Sequence, residues 1–203
     1  MKAILSSTYF GPVQWYQKLN RYDEVLIEHC DSYQKQTFRN RCLIATTNGI
    51  QALTVPVDTS EGKIRISNHG NWRHQHWQAL TSAYGDSPFF LYYEDDLRPF
   101  FTEHWEFLYD FNETIRKKVC KLIDIYPKVS FTESYKKSLP QSGEADGCFS
   151  DFRETIQPKH PVPDADFVPR RYYQVYERKH GFLSNLSILD LLFNMGPESI
   201  FYL

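Results

Sequence analysis

Apolar residues open the chain as a short block, Lys2 to Ser6 (KAILS), the pattern of a buried strand. Ser7 to Pro12 interrupts it with small residues. Trp15, Tyr16, Leu19 and Tyr22 then recur at helical spacing. Glu24 to His29 (EVLIEH) predicts a second strand, and a polar segment through Arg41 leads into the apolar Cys42 to Ala45 and a turn at Asn48-Gly49. Gln51 to Val57 (QALTVPV) is rich in strand formers, with Pro56 suited to an edge or a strand end. Lys63 to Ser67 (KIRIS) alternates and predicts a half-exposed strand that pairs with QALTVPV as an antiparallel edge. Trp72 to Tyr84 places Trp72, His76, Leu80 and Ala83 along one helical face, and Phe89 to Leu97 continues in helical pattern after Ser87-Pro88. Thr102 to Ile125 predicts the longest helix, leading into a short strand at Lys128 to Thr132. Ser138 to Ser150 reads as a mobile loop, Pro158 to Pro169 as extended and irregular, and Tyr172 to Tyr176 as a strand. Ile188 to Asn194 reads as a terminal helix capped by Asn185 or Ser187 and ended by Gly196-Pro197.

Strand, helix, strand at the start implies a parallel pair joined by a crossover. The expected fold is therefore α/β, one domain over residues 1–203. Its sheet is mixed but mostly parallel, with flanking helices, an opening βαβ unit and an extended irregular C-terminal region.

Composition changes this picture little. A chain of 203 residues buries a substantial core, and 24% charged residues is ordinary for a globular domain. The formal net charge of −2 supplies no general attraction to nucleic acid or anionic membranes, so any anion must be held by a local basic cluster. The first apolar run is too short for a signal-peptide core and no run reaches membrane-spanning length. Cys30, Cys42, Cys120 and Cys148 lack metal-type spacing, which fits reduced thiols in a cytoplasmic protein, with disulfides the second reading.

Two places carry candidate chemistry. The loop after the first strand sets Ser7 and Thr8 at a helix N-terminus, where α/β folds bind anions, although hydroxyls there also serve as plain caps. The run KQTFRNR, Lys35 to Arg41, follows the second strand and, with Tyr33, gathers Lys35, Gln36, Arg39, Asn40 and Arg41. Guanidinium forks bind phosphate or carboxylate bidentately and lysine adds a mobile charge. The bland alternative is a solvated loop paired with Asp31 and Glu28. Strand ends of one βαβ unit face a common crevice, and this favours a site. His74 and His76 point to different helix faces, so a shared metal is not expected. His76, on the apolar face, is the candidate general acid or base. Cys42 reads as a buried structural thiol, and Asp151 with Arg153, like Asp190, as salt-bridge partners. No GxSxG, Walker A, HExxH or GxGxxG motif occurs.

The segments SSTYFGPVQWYQ, KQTFRNRC, LTVPV, HWQALTSAYGDSPFF, YYEDDL, SDFRETIQPK and RYYQVYERKHGFLSNLSILDLLFNMGPES together closely resemble the WbqC-like family, nearly end to end. The GFxxNLSILDLLFNxGP ending resembles its Bacteroidetes-type branch. Ser7-Thr8 stands where many relatives carry Gln-Pro, whereas Tyr33, Lys35, Asn40 and Arg41 keep the family's polar pattern. The resemblance implies a transferase or amide-forming ligase of surface-polysaccharide biosynthesis. The suggested step passes an aminoacyl group such as glycyl to an aminosugar, with ATP or a nucleotide sugar as cofactor. Nucleotidyl-transferring folds share the strand, loop and basic-cluster layout, but the HxGH motif usual in their first loop is absent. On this reading Lys35, Arg39 and Arg41 bind phosphates, Gln36 and Asn40 orient substrate, and His76 and Lys35 are the catalytic candidates. The expected partner is a small phosphate- or carboxylate-bearing molecule, with no nucleic acid and no membrane insertion. The alternative is a non-catalytic sugar- or protein-binding module or assembly factor.

Overall fold

The computed structural model describes residues 1–60, 63–135, 149–159 and 161–203. In chain order its elements are β1 (Lys2–Ser6), α1 (Val13–Arg21), β2 (Glu24–Glu28), β3 (Arg41–Thr46), β4 (Gly49–Thr54), β5 (Val57–Asp58), β6 (Arg65–Ile66), α2 (Trp72–Tyr84), α3 (Phe90–Leu97), α4 (Pro99–Thr102) and α5 (Leu108–Leu122). They continue through β7 (Val129–Phe131), β8 (Phe149–Asp151), α6 (Glu177–His180) and α7 (Ile188–Met195), which runs into a 3₁₀ turn, Gly196–Tyr202.

The fold is α/β, as the opening pattern predicts. Four parallel strands lie in the order β7-β2-β1-β8. β1 pairs with β2 from Lys2↔Glu24 to Ser6↔Glu28, and with β8 from Lys2↔Phe149 to Ile4↔Asp151. Ala3, Ile4 and Leu5 are all buried, the continuous apolar run of a parallel strand covered on both faces. The chain leaves β1 towards β2 on one side and later returns to its other side at β8. This reversal places a topological switch point between β1 and β8, where the carboxyl ends open a crevice in doubly wound sheets.

Several local expectations are corrected. The antiparallel pairs do not extend the sheet: β3-β4 and β5-β6 are separate two-stranded ribbons. Of QALTVPV only Val57 pairs with KIRIS, joined by the following Asp58, because Gln51 to Thr54 face β3 across the Thr47-Asn48 turn. The long helix begins at Leu108 rather than Thr102, since Pro99 starts its own short helix and Glu103 breaks it in extended conformation. Tyr172–Tyr176 is no strand: Tyr172 and Gln174 turn inward to hydrogen-bond Asp190. Asp190 itself has no cationic partner among the described residues, accepting instead from Tyr84, Tyr172 and Gln174. Phe149 and Ser150 belong to β8; the rest of the expected loop, with Cys148, lies outside the described residues.

The terminal helix explains how the two ends of the chain are joined. Ser187 caps α7, its Oγ accepting from the Leu189 N–H at 3.3 Å and donating to the Phe10 carbonyl at 2.8 Å. Asn185, the other expected cap, serves α1 instead: its Oδ1 accepts from the Gln14 N–H at 3.0 Å, and the Leu186 carbonyl takes the Val13 N–H. Gly196 follows α7 at a φ of 55°, and a Cβ there would meet the Phe89 ring at 2.5 Å, so only glycine fits. Ser187→Ala is expected to cost about 1–2 kcal/mol, read by denaturant unfolding, because both a helix cap and a buried carbonyl lose their partner.

Candidate functional site

Hydroxyl and charged side chains collect at the carboxyl edge of the parallel sheet. β1 delivers Ser6, Ser7 and Thr8, β2 delivers Glu28 to Asp31, and β8 delivers Asp151 and Arg153. The segment Thr37 to Asn40 folds over this edge and is pinned there. The Tyr9 N–H donates to the Phe38 carbonyl at 2.8 Å, and Asn112 Nδ2 of α5 donates to the Arg39 carbonyl at 2.8 Å and to Ser7 Oγ at 3.0 Å. Gly11 is required here, because a Cβ would meet Thr8 Oγ1 at 2.5 Å.

Two buried arginines face one another across the β1–β8 switch point. Arg39 pairs with Asp31 and donates from Nη2 to Ser6 Oγ at 3.2 Å, while Tyr109 Oη donates to Asp31 Oδ1 at 2.6 Å. Burial lowers the Arg39 pKa, opposed by its interaction with Tyr109, yet a guanidinium stays charged. Arg153 contacts Glu28 at 2.9 Å and Asp151 at 2.7 Å; Glu28 also accepts from Thr132 Oγ1 and the Cys30 N–H. Hydrogen bonding to Asp151 raises the Arg153 pKa against the effect of burial. The space between these groups is lined by Ser6, Ser7, Thr8, Thr37, Arg39 and Arg153, and holds about 10 Å³, roughly one water. Thr8 Oγ1 and Arg39 Nε are buried at this crevice with no hydrogen-bond partner among the described residues. Buried polar atoms are normally paired, so these two leave spare hydrogen-bonding capacity on residues that line the crevice.

The basic run is divided by the fold. Lys35 and Gln36 are exposed, Gln36 with a φ of 62°. Thr37, Phe38, Arg39 and Asn40 are buried. Asn40 holds the ribbon in place, donating from Nδ2 to the Val55 carbonyl and accepting the Val55 N–H, both at 2.7 Å. Arg41 reaches across β3-β4 to Thr54 Oγ1 at 3.1 Å. Tyr33 is half-buried on a neighbouring groove, where burial raises its pKa. Ser7, Thr8 and Arg39 are thus brought together; Lys35, Gln36, Tyr33, Asn40 and Arg41 surround them without lining the crevice. The α1 N-terminus is closed by Leu186 and Asn185, so its first amides do not face a ligand.

His76 lies elsewhere. It packs against Trp72 and Tyr9 and its Nδ1 is 2.9 Å from Tyr9 Oη. Burial pulls its pKa down to about 4, so it is neutral at physiological pH. Cys42 is buried, with its thiol pKa pushed up by desolvation. Three residues that sequence patterning did not mark as site residues, Arg153, Asp31 and Asn112, build the crevice with Arg39. Arg153 carries a readable signal, an Asp-x-Arg step at the end of a strand; Asn112 has none, sitting on an amphipathic helix. Among the described residues no cluster of three His, Cys, Asp or Glu side chains suits a metal ion, and no helix is long and apolar enough to cross a membrane.

Comparison with known proteins agrees with the resemblance in sequence. The chain is 28% identical over 224 residues to the uncharacterized protein Rv1507c of Mycobacterium tuberculosis, covering 99% of this chain and 96% of that protein. No solved structure matches it. The model of the WbqC-like protein family matches residues 7–146, spanning β1's loop, the basic run and both ribbons. The chain therefore belongs to the WbqC-like protein family.

Proposed function

We propose that the switch-point crevice binds the anionic group of a small-molecule substrate, and that the protein is a cytoplasmic transferase of surface-polysaccharide biosynthesis. In its fullest form the reading is a nucleotide-dependent transfer of an aminoacyl group, such as glycyl, to an aminosugar, in a Bacteroidetes-type member of the family. The observation that carries it is the pair of buried guanidiniums, Arg39 and Arg153, beside the orphaned Arg39 Nε and Thr8 Oγ1. Activating a carboxylate places negative charge on a departing phosphate, and fixed guanidinium and hydroxyl donors in a water-poor cleft stabilise that charge. Asp31, Glu28 and Asp151 hold the two forks in orientation. Lys35, exposed four residues before Arg39, supplies a mobile charge to a bound phosphate. His76, closed into the aromatic core, takes no part in this scheme. A second reading, a non-catalytic sugar- or protein-binding module, is favoured by the aromatic walls Tyr33, Phe107 and Tyr109 of the adjoining groove.

Thermal unfolding with ATP, a nucleotide sugar or pyrophosphate separates the two. A ligand at 100 times its Kd adds about 2.7 kcal/mol, a rise of roughly 5–10 °C for a chain of this length. Arg39→Lys keeps the charge but loses the fork, and is expected to abolish most of that rise. No stabilisation by any of the three, or an Arg39→Lys protein that responds like wild type, sinks the enzymatic reading. Thr8→Val is expected to act in opposite directions on fold and function. Removing an unpaired buried hydroxyl stabilises the free protein by about 1 kcal/mol, while ligand binding weakens. A Thr8→Val protein that is destabilised, with unchanged binding, would show that the hydroxyl is simply part of the core.

A further inference from the structure

The geometry points to a second ligand subsite, a groove of about 560 Å³ over the carboxyl end of β2, which takes the ring of a ligand whose anionic group occupies the crevice. It deepens the reading above and rests on it. The volume lies within the range of small-molecule sites, whereas the crevice alone holds about one water. The crevice thus has room for a single oxygen of an anionic group, and the groove for the body that carries it.

The lining defines the chemistry of that body. Tyr33 and Tyr109 present half-buried rings, and Ser32, Thr59, Lys63 and Asp110 set hydroxyls and charges around the rim. Aromatic faces with polar edges suit a ring that is flat or has an apolar face and carries hydrogen-bonding groups around its perimeter. A nucleobase and a pyranose share this chemistry.

His29 fixes how such a ring is read. Its imidazole packs at a tilt against Tyr109, at 4.8 Å between centroids, and Phe131, at 4.5 Å, and its backbone N–H is anchored to Thr132 Oγ1 at 2.9 Å. These contacts fix the ring on a residue that lines the groove. Neither ring nitrogen has a hydrogen-bond partner among the described residues, although the ring is half-buried. Burial lowers its pKa against the pull of Glu113, Asp110 and Glu28, so the ring keeps an acceptor nitrogen near neutral pH. A fixed imidazole with unused ring nitrogens, on a residue lining a cavity, can hydrogen-bond a ligand there.

The groove and the crevice are coupled. Asp31 and Tyr109 line the groove and also hold Arg39, which lines the crevice. A smaller void has Ser7 and Thr8 of the crevice and His29 of the groove in its lining. One molecule carrying both a phosphate and a ring can meet both sets of groups.

Calorimetric titration of the full chain with pyrophosphate, adenosine, glucose, ATP and a nucleotide sugar tests the assignment, with His29 ring protons followed by NMR. Ring-bearing phosphates are expected to bind about tenfold or more tighter than pyrophosphate and to shift the His29 resonances. Tyr33→Ala and His29→Ala are expected to lose that increment while keeping the pyrophosphate affinity; Tyr33→Phe, which keeps the stacking face, retains it. Adenosine shifting His29 where glucose does not assigns a nucleobase, and the reverse assigns a pyranose. Ring-bearing ligands that bind no tighter than pyrophosphate overturn the groove and leave the crevice standing. A His29 shift by adenosine or glucose, with no pyrophosphate binding, overturns the crevice and leaves the groove. No binding by any of the five overturns both.

Discussion

His76→Gln is expected to flatten the acid limb of this protein's stability curve. An unfolded histidine takes up its proton near pH 6.5, whereas His76 in the fold does so only at about pH 4. Between those values the unfolded state binds more protons, so stability is complete above pH 6.5 and is lost as pH falls towards 4. Over that interval the loss integrates to about 3 kcal/mol, a large part of the stability of an ordinary domain. The cause is desolvation: the imidazole is enclosed by Trp72 and Tyr9, and a hydrogen bond to the Thr54 backbone offsets only part of the cost of burying a cation. Its hydrogen-bond partner Tyr9 has a pKa raised well above the usual value by its own burial and stays neutral throughout. His29, only half-buried, adds a smaller loss in the same window. Asp190 acts oppositely: burial raises its pKa despite three hydrogen bonds, so protonation on acidification relieves a cost. Urea unfolding at pH 7 and pH 4.5 measures the difference. A His76→Gln protein as acid-sensitive as wild type would mean that His76 is solvated and free to act as a catalytic base.

Glu28→Ala is expected to cost about 3–5 kcal/mol, seen as a fall of roughly 10 °C in Tm. The side chain is fully buried at the end of β2 and satisfies three donors, from Arg153, Thr132 and the Cys30 backbone. Its removal leaves a guanidinium that is 6% exposed with less than its full complement of acceptors, a far greater penalty than the net worth of the ion pair. Glu28→Gln keeps an acceptor for Thr132 and Cys30 and should fall between the two. The double variant Glu28→Ala/Arg153→Met should regain more than half of the loss, because the buried charge goes with its partner. It should also lose the response to anionic ligands, since one of the crevice's two forks has gone. A double variant less stable than Glu28→Ala would mean that Arg153 is held chiefly by Asp151.

The basic run shows how far the two levels of description reach. In sequence, Lys35, Arg39 and Arg41 are equivalent cations following a strand. In the fold, Arg39 is buried against Asp31 and Ser6, Arg41 crosses a ribbon to Thr54, and Lys35 stays outside. The expected salt bridge to Asp31 forms, yet as a buried partner rather than a solvated one. His76 is the converse case. Its place on the apolar face of α2 was legible from spacing alone, but its lack of access to the crevice depends on Tyr9 and Trp72 closing around it.

Local pattern, by itself, determined the elements and the class. Runs of apolar residues at periods of two and 3.6 say which face must leave water, so β1, α1, β2, α2 and α7 and the opening parallel pair were readable from the chain. Only the tertiary structure decided the strand order β7-β2-β1-β8, and with it the switch point that sets Arg153 opposite Arg39 across 114 residues of sequence. Burial and pairing of charges depend on neighbours distant in the chain, and spacing within a helix or strand carries no record of them.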